Sequence, residues 1–193
     1  MPVLKNHQVR IIGGQWKSRK ITFPAIANIR PTPDRVRETL FNWLAPHIKD
    51  SHCLDIFAGS GALSFEALSR GAKYVVMCDK SANVINQLLQ TALDLQVNTQ
   101  HFLVYQTEFS KNMPLFIEKQ SFDIVFIDPP FHRNLVNPVC EWLISHELIH
   151  QNSFIYIETE NDLELDLPQG FNILKQGKTT QTRYYLAQLD KKE

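Results

Sequence analysis

The tetrapeptide Asp128-Pro129-Pro130-Phe131 follows directly on Ser121-Phe122-Asp123-Ile124-Val125-Phe126-Ile127, an apolar run that reads as a buried strand. Two successive prolines fix the backbone and keep the preceding aspartate out of helical geometry, so its carboxylate and the neighbouring carbonyls hold set directions. Such a group suits an exocyclic amine of guanine or adenine, a poor nucleophile because its lone pair is delocalised into the ring. The Asp128 carboxylate and the Pro129 carbonyl can accept both N–H bonds, contacts that strengthen as the nitrogen becomes positive in the transition state, while Phe131 stacks on the base. A base held in a duplex could not reach these groups, which implies a splayed or flipped nucleotide. The competing reading is an ordinary strand-ending turn with a buried phenylalanine.

Upstream, Leu54-Asp55-Ile56-Phe57-Ala58-Gly59-Ser60-Gly61-Ala62-Leu63 joins a strand to a helix, and its glycines let a ligand approach the backbone. Asp79 stands 20 residues beyond Gly59 at the end of the next strand, where a carboxylate can accept from both ribose hydroxyls. The pair signals a nucleoside cofactor. A nicotinamide cofactor would call for G-x-G-x-x-G, but the third position is Ser64, and Asp55 before the glycines would repel a pyrophosphate. An acid there suits the ammonium and sulfonium charges of S-adenosylmethionine, whose methyl is already electrophilic and needs no metal. The remaining work is alignment and electrostatics.

His146-Glu147-Leu148-Ile149-His150 matches H-E-x-x-H, which on a helix would place two imidazoles on one face with a glutamate as base. The segment falls at the expected end of a helix from Pro138, between two sheet strands, with Asn152 as a stop. It reads as a chance match, and no metal is expected.

The elements that must position these groups change character along the chain. Val9 to Ile12 and Ile21 to Phe23 flank Gly13-Gly14 as a small hairpin. Thr32 is placed to cap a helix beginning at Pro33, with Val36, Leu40, Trp43 and Leu44 as its apolar face. Short β runs then alternate with helical stretches, the sign of an α/β fold around a parallel sheet. Seven strands are expected: His52 to Phe57, Tyr74 to Cys78, Phe102 to Tyr105, Phe122 to Ile127, Phe154 to Glu158, Phe171 to Leu174 and Tyr184 to Gln188. Any helix over Asn161 to Pro168 would be brief.

Length and composition set outer limits. At 193 residues the chain suits one α/β domain, divided here into a basic N-terminal hairpin arm (1–30) and a catalytic domain (31–193). No apolar run reaches the 18 residues of a membrane span and no signal-peptide core is seen, so a cytoplasmic location is expected, with no membrane partner. Cys53, Cys78 and Cys140 are far apart among apolar residues and read as buried reduced thiols. The net charge is zero, yet residues 1–37 hold eight Lys and Arg against the single Asp34. That local excess of seven would meet a polyanion. Arg10, Lys17, Arg19, Lys20 and Arg37 are the candidate contacts from this region, and Arg133 could reach a phosphate beside a flipped base.

The chain resembles the bacterial small-subunit ribosomal RNA guanine-N2 methyltransferases of the RsmD type. The likeness runs through Arg10-Ile11-Ile12-Gly13-Gly14-Gln15-Trp16, Arg30-Pro31-Thr32-Pro33-Asp34-Arg35-Val36-Arg37-Glu38, Asp55 to Ala62, Glu66-Ala67-Leu68-Ser69-Arg70-Gly71-Ala72, and Asp128 to Phe131. It implies a Rossmann-like class I sheet with its last strand antiparallel, S-adenosylmethionine as donor and one guanine of 16S ribosomal RNA as acceptor. The implied substrate is that RNA or a partly assembled small subunit, met by a monomer. By the same likeness Asp55, Phe57, Gly59, Ser60, Gly61 and Asp79 would hold the donor, with Thr32 in a lead-in above its pocket. Thr107 and Glu108 would contact the adenine, and Asp128, Pro129, Pro130 and Phe131 the guanine amine. Other classes are an N-methyltransferase of DNA adenine or a protein amide, disfavoured by the lack of a target-recognition domain, and a non-catalytic RNA-binding assembly factor, disfavoured by the intact tetrapeptide.

Overall fold

In each central strand successive side chains enter opposite apolar layers, so these runs are continuously hydrophobic and buried on both faces. The computed structural model describes residues 7–23, 32–109 and 120–190. It contains nine strands: β1 (His7–Arg10), β2 (Lys20–Phe23), β3 (His52–Asp55), β4 (Tyr74–Asp79), β5 (Phe102–Gln106), β6 (Phe122–Ile127), β7 (Ile149–Glu160), β8 (Phe171–Lys178) and β9 (Thr182–Leu189). The helices are α1 (Asp34–Trp43), α2 (Ala62–Ser69), α3 (Ala82–Asp94) and α4 (Val136–Ser145). Cys53, Val75, Met77, Ile124, Phe126 and Tyr156 face one layer with the apolar sides of α1, α2 and α3. Leu54, Val76, Cys78, Val125, Ile127, Ile155 and Ile157 face the other, against Val136, Val139, Cys140 and Leu143 of α4.

Seven strands form one sheet in the order β5-β4-β3-β6-β7-β9-β8. All adjacent pairs from β5 to β7 are parallel, whereas β9 runs antiparallel to both of its neighbours. The strand order reverses between β3 and β6, so the loops after these two strands diverge and leave a crevice at their carboxyl ends. The expected Rossmann-like sheet with an antiparallel last strand is therefore the observed one. The three cysteines are buried and free, and burial pushes their thiols up to about 12. Among the described residues no helix is long and apolar enough to cross a membrane.

The N-terminal hairpin forms as expected, with Val9 opposite Ile21. It is docked onto the domain: Ile11, Ile21 and Phe23 are at most 1% exposed within the α1–α3 layer. The clamp is Glu66 on α2, whose carboxylate accepts from the Ile12 and Gly13 N–H groups at 2.7 and 2.8 Å. Arg37 and Arg70 donate to the same carboxylate at 3.5 and 2.6 Å. Gly14 (φ +75°) is required, since a Cβ there would stand 1.8 Å from the Ser69 carbonyl oxygen, against which the turn abuts.

Several details differ from expectation. α1 begins at Asp34 with no side-chain cap, and the Thr32 hydroxyl is turned instead toward carboxyl groups in the crevice. On that helix Phe41 is a fully buried face residue, while Trp43 is only partly buried and packs on Tyr184. α4 stops at Ser145, and β7 begins at Ile149, five residues earlier than expected, because a bulge separates the Ile149–Phe122 and Phe154–Ile124 pairings. Asn161 to Pro168 contains no helix. Arg30, Pro31 and the division between residues 30 and 31 lie outside the described residues.

Removing one member of a buried ionic network strands the others without water or a counter-charge. Glu66→Ala should therefore destabilise the fold by about 3–5 kcal/mol, measured as a lower urea midpoint at unchanged slope.

Candidate active site

The crevice at the carboxyl ends of the strands is a cleft of about 980 Å³, spacious enough for a nucleoside cofactor and a base together. One end is built by the loop after β3. Gly59 (φ +51°) and Gly61 (φ +75°) give it a left-handed course, and a Cβ on Gly61 would meet Leu88 at 2.6 Å. Gly61 is thus demanded by the turn and does not itself line the cleft, while Asp55, Phe57, Gly59 and Ser60 do. Asp79 at the end of β4 is held by two backbone donors, Gly59 N–H at 3.1 Å and Ser81 N–H at 2.9 Å. Thr107 and Glu108 line the same end, with Thr107 N–H donating to the Asp79 carbonyl at 2.9 Å.

Asp55 is 2% exposed, and the Ser64 hydroxyl donates to its carboxylate. Ser64, which takes the place of the third fingerprint glycine, thereby braces this acid. Burial pushes the Asp55 carboxyl up to about 7, an effect that a bound cation would reverse. The donor set therefore fits S-adenosylmethionine: a fixed carboxylate for the ribose, and a buried acid for positive charge.

The other end is acidic as well. Asp128, Pro129, Pro130 and Phe131 all line the cleft, with Pro129 buried and Phe131 half-exposed, as a stacking ring requires. The turn then tightens through His132 (φ +60°) and Asn134 (φ +50°), and His132 N–H donates to Glu160 at 2.7 Å. Glu158 lies two residues before the end of the adjacent strand β7. The Thr32 hydroxyl lies 3.4 Å from Asp128 Oδ2 and 3.2 Å from Glu158 Oε2, and Tyr156 donates to Glu158 at 2.9 Å. Burial, then Glu158 and Asp55, hold the Asp128 carboxyl well above the usual range, and burial raises Glu158 too. Tyr156 is also pushed up, by burial and by the charges of Glu158 and Asp128.

All the cofactor and catalytic candidates except Gly61 thus line one cleft. Sequence reasoning missed Glu158 and Tyr156 as site residues. The available signal was that the strands of Asp55, Asp79 and Asp128 all end in an acid, and Glu158 lies close to the end of its own. Among the basic candidates Arg133 lines the cleft, and Arg10, Lys17, Arg19 and Lys20 are exposed. Arg10 pairs with Asp34 at 2.7 Å, and Arg19 donates to the Asp94 carbonyl at 2.8 Å. Arg37 is a correction: it is 0% exposed, donating to Asp34, Glu66 and the carbonyls of Thr32 and Arg10, so no guanidinium edge is offered to RNA. The H-E-x-x-H residues do not share a helix. His146 caps α4, Glu147 has φ +55°, and His150 lies in β7 beside Asp123. Among the described residues no group of three or more His, Cys, Asp or Glu could hold a metal ion.

A parallel sheet reversing between β3 and β6, an acid at the end of β4 and D-P-P-F after β6, all on one cleft, define a class I, Rossmann-like S-adenosylmethionine-dependent methyltransferase. The chain belongs to the family described as conserved hypothetical protein 95, whose sequence model matches residues 9–188. It is 42% identical over 186 residues to the ribosomal RNA small subunit methyltransferase D of Haemophilus influenzae, covering 94% of each chain. It is 39% identical over 184 residues to the protein of the same name from Escherichia coli K12, covering 94% of this chain and 90% of that one. A solved Escherichia coli methyltransferase structure superposes with a TM-score of 0.83 at 37% identity, covering 96% of this chain and all of that one.

The raised Asp55 pKa fixes the sign of a stability effect. The folded carboxyl keeps its proton up to about pH 7, the unfolded one only to its ordinary 3.8, so stability from this group is lost as pH rises through 7. Asp55→Asn should flatten the fall in melting temperature of the ligand-free protein between pH 5.5 and 8. An unchanged slope in a scanning calorimeter would count against the assignment.

Proposed function

We propose that this chain transfers a methyl group from S-adenosylmethionine to the exocyclic N2 of a guanine in small-subunit ribosomal RNA. The observation that carries this reading is the meeting in one cleft of the nucleoside-holding Asp79 and the amine acceptor Asp128-Pro129-Pro130-Phe131. The named function of the 39–42% identical relatives supports the RNA acceptor.

When bound, the cofactor supplies an electrophilic methyl on a sulfonium centre. The protein's residues do the rest. Asp79 takes the ribose hydroxyls, Phe57, Thr107 and Glu108 border the base end, and Asp55 sets a negative field beside the positive groups. Phe131 stacks on the flipped guanine. Asp128 and the Pro129 carbonyl accept the two N2 hydrogens, turning the nitrogen lone pair toward the methyl carbon. Asp128 would take one proton from the nitrogen as it becomes positive, leaving the methylated amine neutral.

The hairpin tip and the cofactor loop lie at opposite ends of α2. The tip abuts Ser69 at the last turn of α2, roughly 12 Å along that helix from the cofactor loop by the usual rise per residue. RNA touching Arg133 at the cleft and Lys17, Arg19 and Lys20 on the hairpin must follow the flank of the domain. A large folded substrate such as a partly assembled small subunit fits that path better than a short single strand. In this reading residues 1–30 serve as the RNA-facing arm and residues 31–193 as the catalytic domain, acting as a monomer in the cytoplasm.

The test is transfer of labelled methyl to small-subunit particles and RNA lacking the modification, comparing wild type with Asp128→Ala. Label should appear as N2-methylguanine at one position and fall by at least about a hundredfold in the variant. Label on DNA or protein instead, or equal transfer by both proteins, would overturn the reading. Replacing Lys17, Arg19 and Lys20 together by Gln should reduce the salt slope of RNA binding by about two to three while sparing donor affinity. An unchanged slope would remove the hairpin from the interface.

A further inference from the structure

Asp128 can take up a proton from the amine only when ionised, yet its neighbourhood works against a second negative charge. Glu158 stands beside it near the end of the adjacent strand, and Asp55 on β3 adds to the repulsion. Two carboxyl groups that share the Thr32 hydroxyl repel each other when both are ionised, which favours holding one proton between them. Among the described residues no cation shifts either acid.

The hydrogen bonds show how that proton is shared. Thr32 has one hydroxyl proton but stands between Asp128 Oδ2 at 3.4 Å and Glu158 Oε2 at 3.2 Å. It can donate to only one of them, so the other contact is favourable only when that carboxyl donates to Thr32. Without a base in the cleft, Glu158 is the better anion, because Tyr156 and Thr182 also donate to it. The resting arrangement is then a protonated Asp128 donating to Thr32, and Thr32 donating to an ionised Glu158. Tyr184 on β9 stands opposite Glu158 in the strand register and adds to the charge that Tyr156 meets.

We propose that Glu158 is the proton reservoir of the site: as the target amine docks, the Asp128 proton passes across the Thr32 hydroxyl to Glu158, leaving Asp128 ionised to accept the amine hydrogens. The O–H bond of Asp128 breaks, Thr32 exchanges its proton, and an O–H bond forms on Glu158. The pair's net charge is unchanged, so no counter-ion is needed. Glu158 acts through Asp128 and does not touch the base. Thr32 is delivered to this position by Arg37, which donates to its carbonyl at 3.2 Å. This role rests on the reading of Asp128 as the amine acceptor.

The experiment is single-turnover methyl transfer to small-subunit particles with saturating donor, with donor affinity measured for each variant as the check on folding. Thr32→Val should lower the rate at least about tenfold, and Thr32→Ser, which keeps the hydroxyl, should transfer faster than Thr32→Val. Glu158→Gln should cost less than Thr32→Val, because an amide is already neutral and Asp128 no longer has a proton to hand over. The double variant Thr32→Val/Glu158→Gln should recover toward the Glu158→Gln rate. Additive losses, or a Glu158→Gln rate as low as that of Asp128→Asn, would overturn the reservoir. Full activity of Asp128→Asn would instead overturn the reading beneath it.

A second measurement needs no acceptor. In the ligand-free protein, carboxyl ¹³C shifts of Asp128 and Glu158 should follow two coupled steps, and Glu158→Gln should leave Asp128 titrating once at lower pH. Independent single titrations in wild type would overturn the proposal.

Discussion

Three carboxyl groups at or near the ends of adjacent strands, Asp55 on β3, Asp128 after β6 and Glu158 on β7, set the terms for the whole site. The sheet order places β3, β6 and β7 side by side and aims their carboxyl ends at one crevice. Burial there makes negative charge costly, so each carboxyl is raised, and Asp55 lies near neutrality. Such a crevice favours ligands that bring positive charge or hydrogen-bond donors. A sulfonium donor and an aromatic amine are such ligands, and both acquire their best partners only when the acids ionise. The electrostatic cost in the ligand-free fold is thus tied to selectivity for what binds.

A second buried carboxylate has the opposite character. Glu66 is fully buried but accepts from four donors, two backbone N–H groups of the hairpin and two arginines. Satisfied in this way it joins elements instead of awaiting a ligand. Its partner Arg37 reaches the hairpin at the Arg10 carbonyl and the cleft at the Thr32 carbonyl. One network therefore fixes the basic hairpin to the body and orients the residue bridging Asp128 and Glu158. The contrast between Glu66 and Asp128 shows that burial alone does not mark a reactive acid; the supply of donors decides.

The cofactor end and the acceptor end were built by different local rules. Left-handed glycines shape the first, leaving backbone N–H groups free to hold Asp79. Prolines shape the second, removing N–H groups and leaving carbonyls as acceptors. A site that fixes a carboxylate with backbone donors at one end and presents carbonyl acceptors at the other is suited to bring a carboxylate-bound nucleoside against an amine.

Much of this was legible in the sequence. The two-residue alternation of the strands, the glycine turn, the 20-residue step to Asp79 and the double proline are local signals, because they record which face a side chain takes and which dihedrals the backbone permits. They gave the strands, a parallel sheet and most of the candidates that line the cleft, whereas the antiparallel last strand and the places of Thr32, Thr107 and Glu108 came from the family resemblance. What local signals do not record is which distant groups become neighbours. Thr32 looked like a helix cap, yet its partners lie 96 and 126 residues away. Arg37 looked like one more cation of a basic stretch, until the docked hairpin and α2 enclosed it with acids. H-E-x-x-H matched a metal motif in letters and read as a chance match, and the physical reason is that chain reversal at Glu147 puts its histidines on different elements. In each case the side chain's role was set by charge and burial, and those depend on the packed fold, because only packing excludes water and brings remote partners within hydrogen-bond reach.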